Sequence, residues 1–179
     1  AGEIGEIWAA GPNVSRGYWR NPAATQENFG AAIAGEDEAV WLRTGDLGFL
    51  GDGGDLFVTG RIKDIVIVRG TNHYPQDIEH TVESADPALA AHGGAAFAVI
   101  DETGEERLVV VQEVERSQRH RAEPKALAAR IREAVVAGHD IVPLAVALLR
   151  PGALPKTTSG KIQRARARRL WLEGALDIL

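Results

Sequence analysis

The sequence predicts an α+β fold in two parts, a small C-terminal domain of sheet plus packed helices preceded by a β-rich stretch. Up to about residue 60 the chain mixes glycine with short apolar runs, the pattern of hairpins and connecting loops. From Asp64 the period changes: a β-branched run is followed by apolar residues at helical spacing, and strand and helix then alternate to the C-terminus. The division is placed so that residues 1–63 form the β-rich part and residues 64–179 the complete small domain.

Residues 4–10 read as a strand. Residues 41–50 and 55–59 read as a hairpin turned by Gly51, Asp52, Gly53 and Gly54, and this part is expected to be all-β. Ile65, Val66, Ile67 and Val68 form a β-branched strand that Gly70 ends, and Pro75 opens a helix with Ile78 and Val82 on one face. Residues 95–100 and 108–114 form a second hairpin, whose polar turn places Gly104 where an unusual backbone angle is needed. A helix over 124–137 carries Leu127, Ile131 and Val135 on one stripe, with Pro124 in its first turn and Gly138 at its exit. A strand over 145–149 and a helix over 163–176 complete the order, the latter with Arg164, Arg166, Arg168 and Arg169 mostly toward solvent.

The chain has 179 residues, 45% of them hydrophobic and 25% charged, which is the profile of a folded protein. With 20 Lys+Arg against 25 Asp+Glu, the net charge of -5 gives no general attraction to nucleic acid or anionic membrane, so no nucleic-acid partner is expected. No apolar run approaches the roughly 18 residues of a membrane span, and no basic and apolar leader opens the chain, so a cytoplasmic setting without a membrane span is expected. The absence of cysteine excludes disulfides, thiolate metal sites and a cysteine nucleophile. His73, His80, His92, His120 and His139 show no metal-ligand spacing with carboxylates, so surface or cap roles are expected and no protein metal ligand. The chain lacks methionine and begins in what reads as mid-strand, so a piece of a longer polypeptide is expected.

Three stretches carry residues fit for chemistry. Residues 154–162 form a polar loop with Pro155 and Gly160 that delivers Lys161 just before the last helix. A phosphate-cradling P-loop would need glycine where Pro155 stands and Ser or Thr where Ile162 stands, so that reading fails. What remains is a mobile loop that can hold one ammonium against an anion, an attraction of roughly 4 kcal/mol at about 4 Å and an effective dielectric near 20. On spacing alone a solvated surface lysine explains it first. Asp46 is expected in a glycine-flanked turn, where a carboxylate can accept two hydrogen bonds from a ribose diol or can be an ordinary turn residue. Arg61 offers a planar fork to phosphate or ribose oxygens, and Lys63 and Asp64 lie where the composition changes, as a hinge or merely a charged linker would. Two basic patches, 116–121 and 164–169, read as solvated faces or as docking points for an acidic partner protein.

In this order the stretches GEIWAAGPNVSRGYW (5–19), RTGDLG (43–48), GRIKD (60–64) and PKTTSGKI (155–162) resemble four successive motifs of the adenylate-forming superfamily of acyl-CoA ligases, nonribosomal-peptide adenylation domains and luciferases, across nearly the whole chain. WLRTGDLGF (41–49) and especially RGTNHYPQDIE (69–79) resemble the fatty acyl-AMP ligase branch, from which Thr71 departs, since that branch more often has a basic residue there.

The resemblance implies a role for each residue. Asp46 matches the aspartate that binds the ATP ribose hydroxyls, and Arg61 the arginine that contacts the ribose and phosphate region. Lys63 and Asp64 match the hinge of the mobile C-terminal lid domain, and Lys161 matches the catalytic lysine that bridges carboxylate and α-phosphate. It implies ATP, with Mg2+ bound mainly outside these residues, and a fatty acid activated as acyl-AMP and passed to the phosphopantetheine thiol of an acyl carrier protein, usually for polyketide or lipopeptide assembly. Residues 1–63 would then be the tail of a large N-terminal adenylation domain. The family's phosphate loop, adenine-stacking motif and acyl tunnel are expected before Ala1, so these residues alone are expected to be inactive. Three other readings stay open: the corresponding part of an acyl-CoA ligase, that of an amino-acid adenylation domain, and a non-catalytic module that docks a carrier protein.

Overall fold

The computed structural model describes residues 2–35, 40–118 and 123–179. The chain divides into two compact units, Ala1–Lys63 and Asp64–Leu179.

In the first unit, strands β1 (Gly5–Ala9), β2 (Leu42–Leu50) and β3 (Leu56–Arg61) form an antiparallel sheet in the order β1-β2-β3. The second and third are the expected hairpin. Close approach here depends on glycine: a Cβ on Gly48 would stand 2.5 Å from the carbonyl oxygen of Phe57 on β3 and 2.9 Å from Ile7 on β1. The unit is not all-β, because helix α1 (Pro22–Phe29) precedes β2. Asn21 caps it, accepting a hydrogen bond from the Ala24 amide at 3.1 Å, and Pro22 occupies its first position. None of its residues is buried, so it shows no apolar stripe.

The second unit opens with strands β4 (Val66–Val68) and β5 (Thr71–His73), an antiparallel pair. They are joined by Arg69 (φ 51°) and Gly70 (φ 77°), the two left-handed residues of a tight hairpin turn. Helix α2 (Pro75–Ser84) follows, then β6 (Leu89–Ile100), β7 (Glu106–Val114), helix α3 (Pro124–His139), β8 (Ala145–Leu149) and helix α4 (Arg164–Leu172). β6 pairs antiparallel with β7, and α3 carries the chain over to β8, parallel to β7. Gly104 in the β6–β7 turn has φ 85°.

Alternation on these strands serves two cores. Ala96, Leu108, Val110 and Leu148 face Ile78 and Val82 of α2 and Leu127, Ile131 and Val135 of α3. Their neighbours Ala95, Phe97, Val99, Val109, Val111, Ala147 and Leu149 face Ala167 of α4, Leu154 and Leu176.

The ends of two helices differ from expectation. α3 runs through Gly138 and stops at Asp140 (φ 55°), whose amide donates to the Val136 carbonyl. Gly138 faces Thr81 of α2, and the next residue's His139 Nε2 pairs with Thr81 Oγ1 at 2.8 Å. α4 ends at Leu172 because Gly174 (φ 64°) reverses the chain, with the Ala175 amide on the Leu170 carbonyl at 2.8 Å. The tail then pairs Ile178 with Leu149 of β8. No helix among the described residues is long and apolar enough to cross a membrane.

Candidate functional site

Asp46 lies in strand β2 rather than in a turn, directly opposite Arg61 of β3. Arg61 Nε donates to Asp46 Oδ1 at 2.8 Å, so the structure brings these two expected residues together. Asp46 Oδ2 has no hydrogen-bond partner among the described residues. The backbone around Asp46 is fixed from two sides. Its amide donates to Thr44 Oγ1 at 3.0 Å, while that hydroxyl donates to the Ile7 carbonyl at 2.7 Å. Gly45 (φ 72°) donates its amide to Glu6 Oε1 at 3.3 Å.

Glu6 was not among the residues the motifs single out. It also accepts from Trp8 Nε1 at 2.8 Å and from Arg43 Nε at 2.9 Å. Burial pushes its carboxyl up, but the bonds from Trp8, Arg43 and Gly45 together outweigh this and hold it below its ordinary range. Its signal in the sequence is weak, because two of its three partners lie 37 and 39 residues away.

Lys161 belongs to the second unit. Its loop is closed rather than loose: the Thr157 amide donates to the Lys161 carbonyl at 2.8 Å, and the Gln163 amide to the Pro155 carbonyl at 2.9 Å. The Lys161 amide donates to Thr157 Oγ1 at 3.0 Å, and Gly160 (φ 82°) supplies the reversal. Lys161 itself is exposed and forms no ion pair among the described residues. It stands on a groove of about 500 Å³ lined also by His80, Glu83, His92 and Arg164. At the loop's start, the buried Glu113 accepts the Leu154 amide at 2.7 Å and lies 3.6 Å from Lys156 Nζ.

Of the four α4 arginines expected to lie mostly toward solvent, Arg166, Arg168 and Arg169 do so and Arg164 is the exception. Its side chain is 16% exposed, and its Nε and Nη2 donate to the two oxygens of Glu79 at 2.7 and 2.6 Å. Nη1 lies 3.5 Å from Asp64 Oδ2. The hydrogen bonds it donates to Glu79 hold its proton more firmly than usual, despite burial. Lys63 and Asp64 lie in the 3₁₀ turn Ile62–Asp64, where the two units divide. Arg166, Arg168 and Arg169 are exposed, and Arg168 Nε donates to the Ala98 carbonyl at 2.8 Å. Arg119, His120 and Arg121 of the other basic run lie outside the described residues.

Among the described residues no group of three His, Asp or Glu is placed to hold a metal ion.

The family model of the Disco-interacting protein 2-like AMP domain matches residues 63–179. The medium-chain-fatty-acid–[acyl-carrier-protein] ligase JamA of Moorena producens is 51% identical over 98% of this chain and 29% of its own length. The fatty-acid–CoA ligase fadD25 of Mycobacterium tuberculosis is 42% identical over 96% of this chain and 30% of its own. A solved structure from studies of fatty acyl-adenylate ligases of E. coli and L. pneumophila superposes with a TM-score of 0.72 at 32% identity, covering 96% of this chain and 28% of that one. The chain thus spans less than a third of the length of each relative. With its motifs in order and its mixed sheet and helix fold matched by adenylate-forming enzymes, the chain belongs to the Disco-interacting protein 2-like AMP-domain family.

Proposed function

We propose that these residues are the C-terminal part of an ATP-dependent ligase that activates a fatty acid as acyl-AMP and passes it to the phosphopantetheine thiol of an acyl carrier protein in the cytoplasm. The observation that carries this is Lys161, an ammonium with no ion-pair partner among the described residues, presented by a loop whose backbone is closed beneath it. The relative at 51% identity, named for a carrier protein as acceptor, supports the choice of acceptor.

In this reading the fatty carboxylate attacks the α-phosphorus of ATP and pyrophosphate leaves. Two anions meet in that step. Lys161 lies between them and offsets their repulsion in the transition state, the kind of contact whose loss costs about 3–4 kcal/mol. Asp46 accepts the ribose hydroxyls through the oxygen that Arg61 leaves free, and Arg61 contacts the ribose and phosphate region. Lys63 and Asp64 form the hinge about which residues 64–179 turn between the two half-reactions, and residues 1–63 are the tail of the larger adenylation domain. The carrier thiol then attacks the acyl carbonyl and AMP leaves. Magnesium enters with ATP and is bound mainly outside these residues.

The test is a chimera in which residues 1–179 replace the matching segment of the Moorena ligase, given ATP, magnesium and labelled dodecanoate. Acyl-AMP that persists with CoA and moves to holo carrier protein is the expected result. Consumption by CoA would instead favour the activity for which the 42% identical relative is named. Lys161→Ala in the chimera is expected to lower acyl-AMP formation by about 100-fold or more; unchanged formation would leave only a carrier-docking role. The 179 residues alone are expected to release no pyrophosphate above background, and appreciable release would overturn that part.

A further inference from the structure

Arg164 closes the Lys161 loop and begins α4, and carboxylates from two other elements meet on its guanidinium. Glu79 of α2 takes its fork at 2.7 and 2.6 Å. Glu79 Oε1 also accepts the Ala96 amide of β6 at 3.0 Å, which ties the fork to the central sheet. The remaining nitrogen, Nη1, lies 3.5 Å from Asp64 at the start of the unit. The loop therefore has two anchors of different kinds. Its first end hangs on Glu113, a buried carboxylate of β7 that takes the Leu154 amide and lies beside Lys156. Its second end hangs on an arginine shared between the sheet and Asp64.

We propose that Arg164 is a positioning residue that links the Lys161 loop to Asp64, so that the order of the loop and the placement of that carboxylate are set together. The functional weight of this link rests on the roles proposed above for Lys161 and Asp64. The link itself is read from geometry. A lysine at 164 would keep the charge but offer a single point donor, and could not satisfy both oxygens of Glu79 while reaching Asp64. A fork this enclosed fixes direction as well as charge. A shift of Asp64 therefore alters the balance on Arg164, and the loop three bonds of backbone closure away responds.

Amide hydrogen exchange on the 179-residue chain tests this without any catalytic readout, so its failure is distinct from failure of the proposed activity. Arg164→Lys is expected to speed exchange at the amides of Thr157, Lys161 and Gln163 by about tenfold, while Ile131 and Val135 in α3 keep their rates. Asp64→Asn, which leaves the Glu79 fork in place, is expected to speed the same loop amides by about threefold. Loop exchange unchanged in Asp64→Asn would overturn the link. A uniform rise across α3 and the loop in Arg164→Lys would overturn it too, since Arg164 would then be a general structural residue.

Discussion

In the first unit the buried positions among the described residues are Gly48 and Gly60, and the sheet is held by backbone closeness, whereas the second unit encloses two apolar clusters on opposite faces of β6-β7-β8. The side chains for which a function is proposed follow the same division. Asp46 and Arg61 pair with each other on adjacent exposed strands. Lys161 is left without an ion-pair partner on a loop anchored by buried or enclosed groups, Glu113 and Arg164. The Lys161 loop is tied to the core of its unit at its start, through Leu154 in the second apolar cluster.

The units should therefore break in opposite ways. In the second, removing atoms is worst: Ile131→Ala, at a fully buried position, is expected to cost about 2–5 kcal/mol. In the first, adding atoms is worst: Gly48→Ala sets a methyl 2.5 Å from the Phe57 carbonyl and should separate β2 from β3, while Phe57→Ala, at a half-exposed side chain, should change little. Denaturant titration read by tryptophan fluorescence separates the two, because Trp8, Trp19 and Trp41 report the first unit and Trp171 the second. Next in size is Glu113→Ala, which leaves the buried Leu154 amide without its acceptor and should cost about 1–3 kcal/mol in the same titration.

How much of this was legible in the sequence depended on whether a residue's partner was near or far along the chain. Pro75 and Pro124 marked helix starts because a missing amide hydrogen costs nothing in a first turn. The short apolar runs over 108–111 and 145–149 marked strands, which the fold covers on both faces. α1 was hidden because it buries nothing, although Asn21 and Pro22 carried its start signal. β5 was hidden because Thr71, Asn72 and His73 form a strand only by pairing across the Arg69–Gly70 turn. The motifs pointed to Asp46, Arg61 and Lys161 as single residues, but the Asp46–Arg61 pair needed the β2–β3 register. Arg164 looked like one more solvated arginine, because its partner Glu79 lies 85 residues away.

A pH titration sharpens the comparison further. Burial, and then repulsion from His139, hold His73 of the second unit below its ordinary value of 6.5. The unfolded chain therefore binds the proton more readily than the folded one. Stability of the second unit should be complete above pH 6.5 and decline as pH falls through the folded value. His73→Gln is expected to flatten that decline in Trp171 fluorescence melts, an effect smaller than that of Glu113→Ala. An unchanged slope would assign the decline to other groups.

The smallest effect on stability is expected at Arg61, for which a role at the nucleotide is proposed. Arg61→Ala removes a pair whose side chains are 56% and 33% exposed, and such surface pairs contribute about 0.2–1 kcal/mol. The Trp41 melt should hardly move. Adenylate formation in the chimera should nevertheless fall by about tenfold or more, because the oriented fork is lost as well as the charge. Arg61→Lys separates these: if geometry matters, lysine restores little of the lost activity. Restoration to near full activity would show that any cation beside Asp46 suffices, and the pairing across β2 and β3 would then hold the strands together rather than aim a donor at the nucleotide.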